Sequence, residues 1–206
     1  MADDPSSTHP VRRRTFLAVA LLTGTAVVSG CTGQADGAST SADAAFDFAG
    51  STPLGAVVPA DSRQPAPRFG GELLDGSRFD SSDLDGDLAV VNFWGSWCAP
   101  CRVETPEFQA VHSDVADRGV QFLGVDVKDQ RQLAQAFVDT VGVTYPSLFD
   151  PRGEVALAFR GFPANVVPAT ILLDRRYRVA AVYVATVPEE DLRAALDLLL
   201  AEDPAP

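Results

Sequence analysis

The chain has 206 residues, 46% of them apolar, with 28 acidic against 16 basic residues and a net charge of −12. That length is enough for one domain with its own core. The acidic balance excludes a protein that grips nucleic acid, or one that lies on anionic lipid through its own surface.

The N-terminus reads Arg12-Arg13-Arg14-Thr15-Phe16-Leu17 and continues apolar to Val28. The apolar run is shorter than the roughly 20 residues of a membrane-spanning helix. Basic residues before a short apolar stretch predict an export signal over residues 1–30. Arg13-Arg14-Thr15-Phe16-Leu17 resembles the twin-arginine pattern. Arg12 stands where a polar residue is usual, which leaves Sec export open. Val28-Ser29-Gly30-Cys31 resembles a bacterial lipobox, so Cys31 is expected to be the lipidated N-terminus after cleavage. The alternative is an ordinary signal peptide with an incidental cysteine. Residues 1–30 hold three Arg and two Asp, so the exported part would carry −13. Residues 31–64 are rich in Ala, Gly, Ser, Thr and Asp, a composition that cannot bury a core, and are expected to be a flexible tether.

Residues 65–206 are expected to form the globular domain. Asp75-Gly76 between Glu72-Leu73-Leu74 and Ser77-Arg78-Phe79 predicts a hairpin. Leu88–Trp94 is nearly all apolar, as in a strand buried on both faces. Residues 102–118 read as a helix with a kink at Pro106, and Val120–Val127 as the next strand. Residues 130–141 read as a helix with Leu133, Ala136, Phe137 and Val141 on one stripe. A short helix over residues 155–159 follows, then strands over Ala169–Leu173 and residues 179–184. Pro188 opens a last helix, with Glu189-Glu190-Asp191 in its first turn and Leu192, Leu196, Leu199 and Leu200 on its apolar face. The order implies a mixed α/β sheet with helices on both faces.

Trp97-Cys98-Ala99-Pro100-Cys101 lies between the first long strand and the following helix. Cys98 falls at the helix start, where unpaired N–H groups and the positive end of the dipole favour a thiolate. Cys101 lies one turn further on, facing inward. The chemistry implied is disulfide exchange, with Cys98 attacking and Cys101 resolving the mixed disulfide. Half of a zinc site is the first alternative, but the chain has no second CxxC, only Cys31 besides, and His9 and His112 as its histidines. Copper handling would want Met or His nearby, and Met1 is the sole methionine. A plain structural disulfide is the third alternative. No metal and no cofactor is expected.

The stretch Asn92-Phe93-Trp94-Gly95-Ser96-Trp97-Cys98-Ala99-Pro100-Cys101-Arg102-Val103-Glu104-Thr105-Pro106 resembles the thioredoxin superfamily, in its membrane-tethered TlpA/ResA-type branch. The likeness covers about residues 66–203, and the hairpin before the redox strand also fits that branch. The resemblance implies a thioredoxin-like fold with an added N-terminal β-hairpin. It implies that Cys98 attacks, Cys101 resolves and Pro100 shapes the helix start. It places a cis-proline at Pro168 within Val167-Pro168-Ala169-Thr170, where the Val167 backbone would pair with a partner's extended segment. Trp97, Pro100, Val167 and Pro168 are the expected partner contacts. Glu104 would tune or relay the proton that Cys101 loses; the alternative is a solvated first-turn acid. Two departures stand out: Asn92 replaces a buried Asp common on this strand, and Pro163 has no counterpart in the pattern.

The resemblance implies an extracytoplasmic, lipid-anchored thiol–disulfide oxidoreductase on the outer face of the cytoplasmic membrane. Its expected role is to reduce partners in c-type cytochrome maturation, apocytochrome c among them, with a membrane thiol–disulfide protein as electron donor. No nucleic acid is expected, and a monomer is. The first alternative is an oxidase that installs disulfides in secreted proteins. A thiol peroxidase would want Thr or Ser three residues before its cysteine, where Gly95 stands. A metal or apocytochrome binding module is the non-enzymatic alternative.

Overall fold

The computed structural model describes residues 46–48, 54–163 and 166–202. The export signal, Cys31 and most of the expected tether lie outside the described residues. A small antiparallel hairpin comes first, β1 (Gly70–Glu72) and β2 (Arg78–Asp80), turning through Asp75-Gly76 as expected. The main sheet has β3 (Leu88–Trp94), β4 (Val120–Val127), β5 (Ser147–Asp150), β6 (Ala169–Leu173) and β7 (Val179–Tyr183), in the order β5-β4-β3-β6-β7. β4 runs parallel to both β3 and β5, while β6 is antiparallel to β3 and β7. The helices are α1 (Ala99–Val115), α2 (Arg131–Val141), α3 (Glu154–Ala158) and α4 (Glu189–Leu200).

The two faces of β3 explain the layering. Leu88 and Val90 pack with Phe108 and Val111 of α1 and Leu192, Leu196 and Leu199 of α4. Trp94 packs with Ala134, Phe137 and Val138 of α2. Ala89, Val91 and Phe93 face the other way, onto Val155 and Ala156 of α3, Phe159 and Leu84. Every residue of β3 is buried, so an alternating pattern was never available to it.

Four expectations need correction. α1 begins at Ala99 rather than residue 102, with Cys98 as its N-cap; the chain passes Pro106 without ending the helix, although Pro106 cannot donate to the Arg102 carbonyl. α2 buries Ala134, Phe137 and Val138, while Leu133 and Ala136 are exposed. Both phasings share Phe137, and the small Ala134 lets the helix approach the sheet. β5 was not expected: its four residues follow Pro146 and end at Asp150-Pro151, too short to show a period.

The fourth correction concerns residues 54–64, expected in a loose tether. Here they run along β7, an edge strand of the sheet, with Gly55 and Val58 N–H groups donating to the Val182 and Ala180 carbonyls at 2.9 and 2.7 Å. Backbone pairing, which composition does not reveal, fixes them. Phe46 is also buried, edge-on to Phe159. Arg63 locks the segment from its C-terminal end: it donates to Asp174 at 3.2 Å, to both oxygens of Glu202 and to the Val58 carbonyl. Arg63→Ala should lower stability in urea unfolding by about 2–3 kcal/mol, below the roughly 3–5 of a buried pair losing its sole partner, because Arg178 still pairs with Asp174. A change under about 0.5 kcal/mol, the size of an ordinary surface substitution, would return residues 54–64 to the status of a tether.

Candidate active site

β3 delivers the chain to one end of the sheet, and residues 95–98 turn it into α1. The Cys98 N–H donates to the Gly95 carbonyl at 3.0 Å, closing the turn. Cys98 Sγ accepts the Cys101 N–H at 3.2 Å, and Cys98 caps α1 with extended backbone. Its sulfur therefore sits where the helix leaves N–H groups unpaired, which favours a negative charge there. Cys98 and Cys101 are joined in a disulfide. Cys98 is 4% exposed and Cys101 fully buried, packed with Trp94, Phe137 and Val138. Access comes from the rim, where Trp97 is 52% exposed and Ala99 and Pro100 are exposed too.

Three contacts fix the turn in place. Trp97 Nε1 donates to the Val127 carbonyl at 3.2 Å. The Ser96 N–H donates to Asp129 Oδ2 at 2.6 Å. The indole folds back over Gly95 so closely that a Cβ there would lie 2.6 Å from Trp97 Nε1, which is why glycine holds this position. Opposite the turn, the Val167–Pro168 peptide bond is cis, and Val167 packs against the cluster that holds the disulfide. Pro163 stands at the start of the same loop, its carbonyl accepting the Val166 N–H.

Glu104 is not a solvated first-turn acid. It is 1% exposed. One carboxylate oxygen accepts Asn92 Nδ2 at 3.0 Å and the other accepts the Val187 N–H at 2.7 Å. Asn92 also donates to Thr170 Oγ1 at 3.0 Å. Burial pushes the Glu104 carboxyl up to about 7, against the two hydrogen bonds that favour its charge. A carboxyl raised into the neutral range thus stands one helical turn from Cys101, and the Asn92 departure is its hydrogen-bond partner.

The structure brings Trp97, Cys98, Pro100, Cys101, Glu104, Val167 and Pro168 to one end of the sheet; Cys31 lies outside the described residues. Sequence reasoning missed Asp129, which anchors Ser96, and Asp126, which is fully buried. The signal for Asp126 was present: an acid inside the otherwise apolar run Val120–Val127.

A family model described as the AhpC/TSA family matches residues 62–182. The thiol-disulfide oxidoreductase ResA of Geobacillus thermodenitrificans is 30% identical over 132 residues, 64% of this chain and 74% of that one. A crystal structure of a DsbF homologue from Corynebacterium diphtheriae superposes with a TM-score of 0.71 at 36% identity, over 75% of this chain and 99% of that one. A secreted thiol-disulfide isomerase from Corynebacterium glutamicum gives 0.68 at 37% identity, over 71% and 92%.

The raised Glu104 carboxyl predicts a pH signature. The folded protein holds this proton more tightly than the unfolded chain between pH 4.5 and about 7. Its contribution is therefore most favourable below pH 4.5 and is lost as pH rises through about 7. Glu104→Gln cannot titrate, so its stability relative to the wild type should improve steadily across that window. Urea unfolding at a series of pH values checks this; parallel curves for the two proteins would contradict it.

Proposed function

Since the chain belongs to the AhpC/TSA family of thioredoxin-like proteins and is a thiol–disulfide oxidoreductase, we propose that it works outside the cytosol as a reductant of protein disulfides. In this reading residues 1–30 are an export signal and lipid on Cys31 holds the protein to the outer face of the cytoplasmic membrane. The lipobox-like Val28-Ser29-Gly30-Cys31 supports the anchor. The likeness to a secreted isomerase supports the compartment. The resemblance to TlpA/ResA-type proteins supports the substrate, the haem-binding cysteines of c-type apocytochromes, and a membrane thiol–disulfide protein as electron donor.

The site supports the following exchange. In the reduced protein the Cys98 thiolate attacks one sulfur of the partner's disulfide. A Cys98–partner disulfide forms and the partner's other sulfur leaves as a thiolate, which takes a proton. Cys101 then gives its proton to the Glu104 carboxylate and attacks Cys98 Sγ. The second partner sulfur departs, and the Cys98–Cys101 disulfide closes. Trp97, Pro100 and Val167 line the rim around the pair, where the partner's chain would lie against cis-Pro168.

Glu104 is the observation that carries the direction. A strong oxidant owes its potential to a stabilised reduced form, mainly a favoured thiolate. The N-cap position of Cys98 pulls that way. A buried acid on the same helix opposes it, because its carboxylate penalises a second negative charge nearby. The two influences offset each other, so the reduced form is stabilised less than in a strong oxidant, which supports a pair that gives electrons away.

Two experiments test the reading. The reduced protein, mixed with an oxidised CxxCH peptide from an apocytochrome c, should reduce the peptide stoichiometrically, and Cys98→Ser should abolish transfer; oxidation of reduced ribonuclease in preference to peptide reduction would favour the oxidase. Cys31→Ala should move the protein from the membrane to the soluble fraction after a carbonate wash. Continued membrane retention would remove the lipid anchor from the account.

A further inference from the structure

Asp126 is a fully buried carboxyl that the exchange mechanism leaves unused. It stands in the middle of a row across three strands, with Trp94 of β3 as its register partner on one side and Phe149 of β5 on the other. Paired residues of parallel strands point to the same face, and Trp94 and Phe149 both pack with the cluster that holds Cys98, Cys101 and α2. Asp126 thus lies under the redox centre. Among the described residues no donor reaches either of its oxygens.

The group it meets is another acid, Asp129, at the start of the turn into α2. The oxygens of Asp129 are engaged by two backbone donors, Ser96 at 2.6 Å and Gln130 at 2.7 Å. Two carboxylates cannot satisfy each other, because both only accept. A proton on Asp126 turns it into the donor of the pair and removes the orphaned buried charge. We propose that Asp126 is a positioning residue of the redox centre, which in its neutral form donates to Asp129 and thereby holds Asp129 on the Ser96 N–H, two residues before Cys98.

The other charged groups around Asp126 are consistent with a neutral acid. Asp150, at the end of β5, adds negative charge; Arg131, at the start of α2, opposes it but is engaged with Glu72 and the Leu73 and Leu74 carbonyls. Burial, reinforced by Asp129, pushes the Asp126 carboxyl up to about 8. Below that pH the pair is a hydrogen bond. Above it the pair is a repulsion, and the Ser96 anchor slackens. Trp97 follows, since it is pinned to the carbonyl of Val127, the residue after Asp126. The role holds for either direction of electron flow, so its failure would leave the reductant reading untouched.

Backbone amide NMR on the oxidised protein tests this directly. The Ser96 amide should shift with an inflection near pH 8 in the wild type. Asp126→Asn, whose amide can donate to Asp129 at every pH, should keep the low-pH Ser96 position and lose the inflection. Asp129→Asn should move the inflection to lower pH, since the neighbouring charge is gone. Asp126→Leu, which has no donor, should displace the Ser96 resonance at all pH values and slow disulfide exchange by up to about a hundredfold, the cost of a misplacement of about 1 Å at a reacting group, with Asp126→Asn restoring the rate. A wild-type Ser96 amide that is flat from pH 6 to 10 would overturn the proposal without recourse to any variant. So would an inflection that survives Asp126→Asn, or a wild-type exchange rate in a folded Asp126→Leu.

Discussion

The carboxyl of Glu104 is the constraint on which the geometry of this site depends. A buried acid is costly unless its oxygens are bonded, and here each oxygen has one protein donor on a different element: Asn92 on β3 and the Val187 backbone just before α4. Glu104 sits on α1, so those two bonds fasten the redox helix to the central strand and to the approach of the last helix. Asn92 extends the link to Thr170 on β6, two residues beyond cis-Pro168. The disulfide and the loop that faces it are thereby referred to one buried hydrogen-bonded group. Burial also raises that carboxyl to about 7, so the side chain that positions the helix is also the one proposed to take the Cys101 proton.

The opposite end of the CxxC turn is held by different means. Ser96 and Trp97 are tied to the segment that follows β4, through Asp129 and the Val127 carbonyl. The sulfurs are thus set from the helix side by Glu104 and from the loop side by Asp129. Between the two lies the apolar cluster of Trp94, Phe137 and Val138, which keeps water from the disulfide and leaves the exposed rim of Trp97 and Pro100 as the approach. In a site this dry, charge is expensive, and the burial of Glu104 and Asp126 raises both carboxyls for the same physical reason.

Much of this was legible in the sequence, and what was missed has a common cause. The strands β3, β4 and β6 are runs of apolar residues long enough to declare themselves. The CxxC fixed the site, and Val167-Pro168 marked its opposite wall. Glu104 was visible as an acid at the right spacing but not as a buried one, because its burial depends on Val187, far along the chain. The α2 stripe reads in two phases because Phe137 fits both helical registers, and β5 has too few residues to show any. The side-chain composition of residues 54–64 points to a tether, whereas backbone bonds to β7 and the Arg63 side chain hold them. Asp126 stood in plain sight within an apolar strand; Asp129 acquires meaning only through Ser96, which the fold brings to it on the turn after β3. Local pattern reports burial well, and pairings between distant polar groups poorly.

The direction of electron flow depends on the balance at Cys98, between a helix end that favours the thiolate and a buried acid that resists it. The reduction potential of the Cys98–Cys101 pair measures that balance in one number. Equilibration at pH 7 against a dithiothreitol redox buffer, read by thiol alkylation, should give a value around that of thioredoxin, about −270 mV. A value near −120 mV, where the strong periplasmic oxidant lies, would mean that the helix end prevails, and would contradict the reductant.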